Sequence, residues 1–424
     1  MLEKFQRIWK IKNLRNSILF VIGMLVIFRA VAHIPIPGVD VVALRSFLEG
    51  NQILGLLNVF SGGTIENFSI AMLGVAPYIT ASIIFQLLVM VVPSLEEMQK
   101  EGEAGQRKIS NYTRLATVPL AILQGFGFIH LLQQGQGDII PNLDTFKFFT
   151  ILVIITAGTV FLMWIGELIT ERNIGNGISL LIFAGIVAAL PQVLQNLVVN
   201  YNPSDLYTYL TFVLIALVTV VGVVFISEGQ RNIPVSYARQ SRGSSGGYGG
   251  AQSHLPLRVN TAGVIPIIFA ISLLLLPPTV AQYFAASGGK LAGFATQVIY
   301  IFQNQWFYGI TYFLLVFGFT YFYTAVIFHP NKVAENLQRQ GGFIPGIRPG
   351  KQTEEYIAQT MNRVVFVGAL FLGTIAILPL ILQGFTGTQS LAIGGTSMLI
   401  VVAVAIDIYK QIESQLTMYE YDRV

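Results

Sequence analysis

The sequence predicts an all-α polytopic membrane protein that crosses the bilayer ten times. Of its 424 residues, 54% are hydrophobic and only 11% are charged, and the apolar residues gather into long runs. A soluble domain carries about 25% charged residues, so this chain lacks the polar surface to cover a water-soluble body. In lipid every backbone N–H and C=O must be satisfied internally, which helices do. The runs also lack the alternation of a lipid-facing barrel strand.

A hydrocarbon core about 30 Å thick needs about 20 apolar residues per helix. Ten segments meet this length, at 14–34, 70–91, 115–133, 148–169, 178–198, 206–227, 259–283, 307–328, 357–382 and 391–410. Basic residues Lys4, Arg7, Lys10 and Lys12 precede the first, in the manner of a secretory leader. No small-residue cleavage site follows, so this run reads as a retained first helix. With the N-terminus in the cytoplasm, 21 of the 25 Lys and Arg residues fall on the cytoplasmic side. Only Arg29, Arg45, Lys147 and Lys290 lie in the membrane or outside. That asymmetry predicts cytoplasmic termini on both sides of the chain.

Three connections are longer than tight loops. The first, 35–69, holds a short apolar piece, 53–60, ending in Ser61-Gly62-Gly63, which is too short to span. The second, 228–258, carries the Gly/Ser-rich tract 241–250, and the third, 329–356, contains Pro345-Gly346-Ile347-Arg348-Pro349-Gly350. The last two are large enough to be cytoplasmic docking surfaces. The crossings divide five and five between residues 1–200 and 201–424. An odd number per half makes the second half enter from the opposite side, the condition for an inverted repeat.

Catalytic constellations are missing from the sequence. It has no phosphate-binding glycine loop and no His-Glu-x-x-His, and its Gly-x-Ser-x-Gly match, 243–247, lies in the Gly/Ser-rich tract and not on an elbow. His33, His130, His254 and His329 are scattered, without ligand spacing, and there is no cysteine. Neither a metal nor a cofactor is expected. Arg29, Glu167 and Asp407 lie near helix ends, where snorkelling or an interfacial ion pair is favoured over a proton relay. Gln86 and Gln124, inside the second and third crossings, and Asn260, beginning the seventh, fit either ordinary interhelical hydrogen bonds or a polar seam that parts. Pro77 and Pro266 are expected inside the second and seventh crossings, preceded by Gly74 and Gly263, as static kinks or as points of flexure.

Several strings then identify a family. They include Pro35-Ile36-Pro37-Gly38, Phe60-Ser61-Gly62-Gly63, Pro77-Tyr78-Ile79-Thr80-Ala81-Ser82-Ile83-Ile84 and Gly175-Asn176-Gly177-Ile178-Ser179. Others are Ile182-Phe183-Ala184-Gly185, His254-Leu255-Pro256-Leu257, Ala262-Gly263-Val264-Ile265-Pro266, the Pro/Gly-rich run around Arg348, and Gly394-Gly395-Thr396-Ser397. In this order and spacing the chain resembles the SecY family, the channel subunit of the bacterial protein translocon.

The resemblance implies two pseudo-symmetric five-helix halves around an hourglass pore. Its waist would be a ring of Val75, Ile79, Ile178, Ile182, Ile268 and Ile400. A plug over about 52–64, including Ile53, Leu56, Leu57, Phe60, Gly62 and Gly63, would close the pore from outside. A lateral gate would place Gln86, Gln124 and Asn260 in its seam, where signal sequences intercalate and transmembrane segments pass into membrane lipid. Implied partners are SecE and SecG, the SecA motor ATPase, the ribosome and preprotein substrates. Arg239, Arg242, Arg258 and Arg348 would meet the motor or ribosome, although the tip 241–250 is poorer in basic residues than the family's usual loop. The implied location is the plasma membrane of a bacterium. The competing function is a secondary transporter of inverted-repeat type, which the scarcity of mid-membrane charge and the large docking loops disfavour.

Overall fold

The computed structural model describes residues 8–49, 58, 61–134, 139–141, 143–199, 206–237, 252–261, 263–286, 292–386 and 389–421. The first half contains α1 (Lys12–Ala32), α2 (Val41–Glu49), α3 (Ala76–Val91), α4 (Pro93–Lys100), α5 (Glu103–Gln134), α6 (Thr145–Thr170) and α7 (Gly177–Val199). The second contains α8 (Leu206–Glu228), β1 (Gln230–Tyr237), β2 (Gln252–Arg258), α9 (Ile265–Ala286), α10 (Ala292–Gln303), α11 (Gln305–Ile327), α12 (Pro330–Arg339), β3 (Gly342–Phe343), α13 (Lys351–Thr386) and α14 (Gln389–Tyr421). The ten expected crossings correspond to α1, α3, α5, α6, α7, α8, α9, α11, α13 and α14.

The crossings run past their apolar stretches where polar sequence continues the helix into water. α5 starts twelve residues before its expected apolar run, and α14 continues eleven residues beyond Lys410. α3 ends at Val91, and Pro93 starts α4 after a bend of 98°. Proline disfavours the helical conformation of the residue before it and then suits a first helical turn.

Pro77 and Pro266 do not interrupt their helices, contrary to expectation. α3 begins at Ala76 and α9 at Ile265, so each proline occupies the first turn. First-turn N–H groups have no intrahelical acceptor, so the missing proline donor costs nothing there. Gly74 and Gly263, at φ +57° and +61°, end the preceding chain in the left-handed region. Prolines inside helices do occur elsewhere, at Pro119, Pro191, Pro277 and Pro278.

One buried apolar cluster joins the two halves, from Val21 and Phe28 of α1 to Leu399, Ile400 and Val404 of α14. The halves also meet where α9 packs on α3 and α5, and where α14 packs on α7. The outward faces remain apolar and exposed, as lipid contact requires. Leu210, Val213, Leu214, Leu217, Val221 and Phe225 form such a face on α8.

The two long loops of the second half form one unit instead of two separate loops. β1 pairs antiparallel with β2, and β3 joins the other edge of β1 through Ser236 and Tyr237. Ile233, Val235, Leu257, Leu337, Ile344 and Ile357 bury a small core beneath the sheet. At the opposite end, α2 and residues 61–72 pack on α5 and α6 through Leu44, Leu48, Ile65, Phe68 and Met72.

Candidate functional site

Two short strings of the same pattern build the centre of the molecule. Gly74-Val75-Ala76-Pro77 opens α3, and Gly263-Val264-Ile265-Pro266 opens α9. In each, the glycine takes positive φ, the proline enters the first turn, and the valine carbonyl accepts from the isoleucine amide four residues on. Those bonds are Ile79 N–H to Val75 O, 3.0 Å, and Ile268 N–H to Val264 O, 3.2 Å. Ile79 and Ile268 therefore hold equivalent positions in the two halves.

They also share a place in space. A cavity of about 320 Å³ opens toward the sheet end and is lined by Tyr78, Ser82, Gln86, Arg114, Glu167 and Asn176 above a floor that includes Ile79, Ile178 and Ile268. A second cavity, of about 230 Å³, lies toward the α2 end and is lined by Val75, Ile79, Ile182, Ile268, Ile271 and Leu275, among others. Ile79 and Ile268 are the residues common to both linings. The two cavities are thus separated at a layer of branched aliphatic side chains, polar and charged on one side and mostly apolar on the other.

The remaining expected ring residues surround this layer. Val75 and Ile182 line the second cavity and Ile178 the first. Ile400 is fully buried and lines neither cavity, but it belongs to the same apolar cluster as Val75, Ile79, Ile182 and Ile268, against which Ile178 packs. A narrow apolar constriction resists wetting, and hence ion flow, because water inside it loses hydrogen bonds.

The three amides expected at the gate occupy three different places. Gln86 lines the first cavity, its Nε2 donating to Ser82 Oγ at 3.3 Å. Gln124 lines the second and donates to Thr80 Oγ1 at 3.5 Å, joining α5 to α3. Asn260 faces a third cavity of about 180 Å³ and donates to the Gly263 carbonyl at 3.1 Å. The side-chain oxygens of Gln86 and Asn260 are buried without a hydrogen-bond partner among the described residues. Burying an unpaired amide oxygen is costly.

The charges near helix ends find partners. Glu167 pairs with Arg114 across α6 and α5 at 2.5 Å, a bond between residues too far apart in sequence for spacing to signal it. Arg29 donates from Nη1 to the Gly62 carbonyl at 2.8 Å. Asp407 lines the third cavity with Arg258 and Lys410.

Of the expected plug residues, Ile53, Leu56, Leu57 and Phe60 lie outside the described residues. Gly62 and Gly63 are described, with φ +82° and +77°. Of the expected docking residues, Arg239 and Arg242 also lie outside them. Arg348 is exposed on a turn between Gly346 and Gly350, at φ +82° and +101°, and its carbonyl accepts from Thr353 Oγ1 at 2.9 Å. Among the described residues, no three His, Asp or Glu side chains come together as a metal site.

The SecY family model matches residues 69–409. The chain is 43% identical over 438 residues to protein translocase subunit SecY of Streptomyces coelicolor, covering 100% of this chain and 99% of that one. It is 44% identical over 432 residues to the subunit of the same name from Halalkalibacterium halodurans, covering 99% of each. Among solved structures, one described as a protein conducting channel aligns with TM-score 0.65 at 17% identity, covering 93% of this chain and 91% of that one. A SecY structure, described as one whose plug domain stabilizes the closed state and maintains a membrane seal, aligns with TM-score 0.63 at 16% identity and the same coverages, 93% and 91%. Sec61 in a canine ribosome-channel complex aligns with TM-score 0.61 at 17% identity, again covering 93% and 91%. With its ten crossings, its paired halves and near-complete alignment to translocase subunits, this chain belongs to the SecY family.

Proposed function

We propose that this chain is the protein-conducting subunit of a translocase and that unfolded preproteins pass through the layer at Ile79 and Ile268. The observation that carries this reading is the pair of cavities that meet at those two pseudo-equivalent side chains. A chain entering from the sheet end would first meet polar groups, then a waist of aliphatic side chains that shift rotamer around it. Branched aliphatics suit a waist that must be dry at rest and yield without hydrogen-bonding its passenger. Val75, Ile178, Ile182 and Ile400 complete the ring.

Apolar segments and signal sequences leave sideways where α9 meets α3 and α5, and the amides of Gln86, Gln124 and Asn260 lower the cost of parting those helices. The segment 52–64 closes the external side. The sheet unit faces the cytoplasm with both termini, in the inner membrane of a bacterium, as the basic residues favour. Arg348, Arg258, Arg239 and Arg242 receive a motor, SecA or the ribosome, which supplies the energy. A Sec61 relative, seen in a ribosome-channel complex, supports the ribosome as one such partner. SecE and SecG are the membrane partners.

The absence of cysteine makes the test direct. Single cysteines at 75, 79, 178, 182, 268 and 400 should crosslink to a preprotein stalled in transit, whereas one at the lipid-facing Leu217 should not. Crosslinking at 217 with silence at 79 and 268 would refute the path.

A further inference from the structure

We infer that Arg29 and Gly185 form a latch that holds Gly62, near the end of the expected plug segment 52–64, against the body of the first half. The inference rests on the reading of this segment as the seal of the pore. Gly62 lies with its Cα against Gly185 of α7, and a Cβ on Gly62 would fall 2.8 Å from the Gly185 Cα. A Cβ on Gly185 would likewise collide with the Gly62 Cα. Glycine inside a helix is unfavourable relative to alanine, and backbone-to-backbone contact at this point gives Gly185 a physical reason.

The same residue is held from its other side. Arg29, in the last turn of α1, donates from Nη1 to the Gly62 carbonyl at 2.8 Å. A guanidinium on a membrane helix needs an acceptor, and away from bulk water a charge-assisted bond to a carbonyl is stronger than its neutral counterpart. The acceptor here belongs to the chain that must move, so this bond is made only while that chain is seated.

Hydrogen bonds within the segment transmit this hold. Gly63 N–H donates to the Asn58 carbonyl at 2.8 Å, and Ser61 Oγ donates to the same carbonyl at 2.8 Å. Asn58 Oδ1 accepts from Glu66 N–H at 3.0 Å, and Glu66 pairs with Arg45 of α2 at 3.1 Å. Every partner in this set belongs to the first half. Parting α9 from α3 and α5 would therefore leave the latch intact, and the seal would need its own displacement by the incoming chain.

The test is resting ion conductance of the reconstituted full complex in planar bilayers, for R29M, R29K and G185A, each alone and in a chain lacking residues 53–64. R29M should raise resting conductance about tenfold or more, as expected for losing one hydrogen bond to a charged group. R29K, which keeps a donor, should raise it less. G185A should also leak, with the Arg29 variants carrying the test if it fails to insert. In the deleted chain none of the three should add to the leak, because the segment they hold is gone. The latch is refuted if R29M seals like the natural chain, or if R29M adds the same leak with the segment deleted. If the deletion itself leaves resting conductance unchanged, the seal reading falls and takes the latch with it.

Discussion

At Gly263 the backbone holds φ at +61°, and a Cβ would come within 2.8 Å of an Asp407 carboxylate oxygen. An L side chain in that conformation costs about 1–2 kcal/mol before any clash. Gly263→Ala should therefore lower the thermal midpoint of the purified protein. Gly318→Ala, at ordinary φ with open space around it, should leave the midpoint unchanged or raise it by the equivalent of about 0.5–1 kcal/mol. Equal midpoints for the two variants would show that the left-handed turn is not needed to start α9. By hydropathy Pro266 and Pro77 fall inside their helices, because apolar runs continue unbroken across them. Hydropathy does not register the switch from turn to helix. The signal that does is the Gly-Val-x-Pro string, present twice at 74–77 and 263–266, whose recurrence marks Ile79 and Ile268 as counterparts.

Among the elements, the sheet unit was the least legible. β1 and β2 are eight and seven residues long and β3 only two, and 104 residues, 238–341, separate β1 from β3. Nothing in local alternation announces that β1 will pair with Gly342 and Phe343. The pairing braces the turn that carries Arg348, between two glycines whose positive φ sets its direction. A guanidinium held on such a turn suits bidentate contact with carboxylates of a partner. Arg348→Glu should abolish motor-driven translocation into proteoliposomes while leaving insertion and expression intact. Normal transport by a well-expressed Arg348→Glu variant would remove the residue from the docking surface. The crossings themselves were readable, because a lipid-facing helix announces itself by length and hydropathy alone.

For the whole molecule, the long apolar runs and the five-plus-five division carried the architecture, and the family strings carried the function. The place where the halves close on each other depended on tertiary packing. α9 against α3 and α5 brings Ile79 and Ile268 together from positions 189 residues apart. Under the proposed function, the apolar layer that these two side chains form is what keeps the resting path dry. Asparagine at either position would put a hydrogen-bonding amide at the waist and lower the cost of wetting it. The direct measurement is ion conductance of the resting, reconstituted complex in planar bilayers for Ile79→Asn, Ile268→Asn and the lipid-facing control Leu217→Asn. The first two should conduct at rest and the control should stay as closed as the natural chain. Resting currents unchanged by both waist substitutions would contradict the claim.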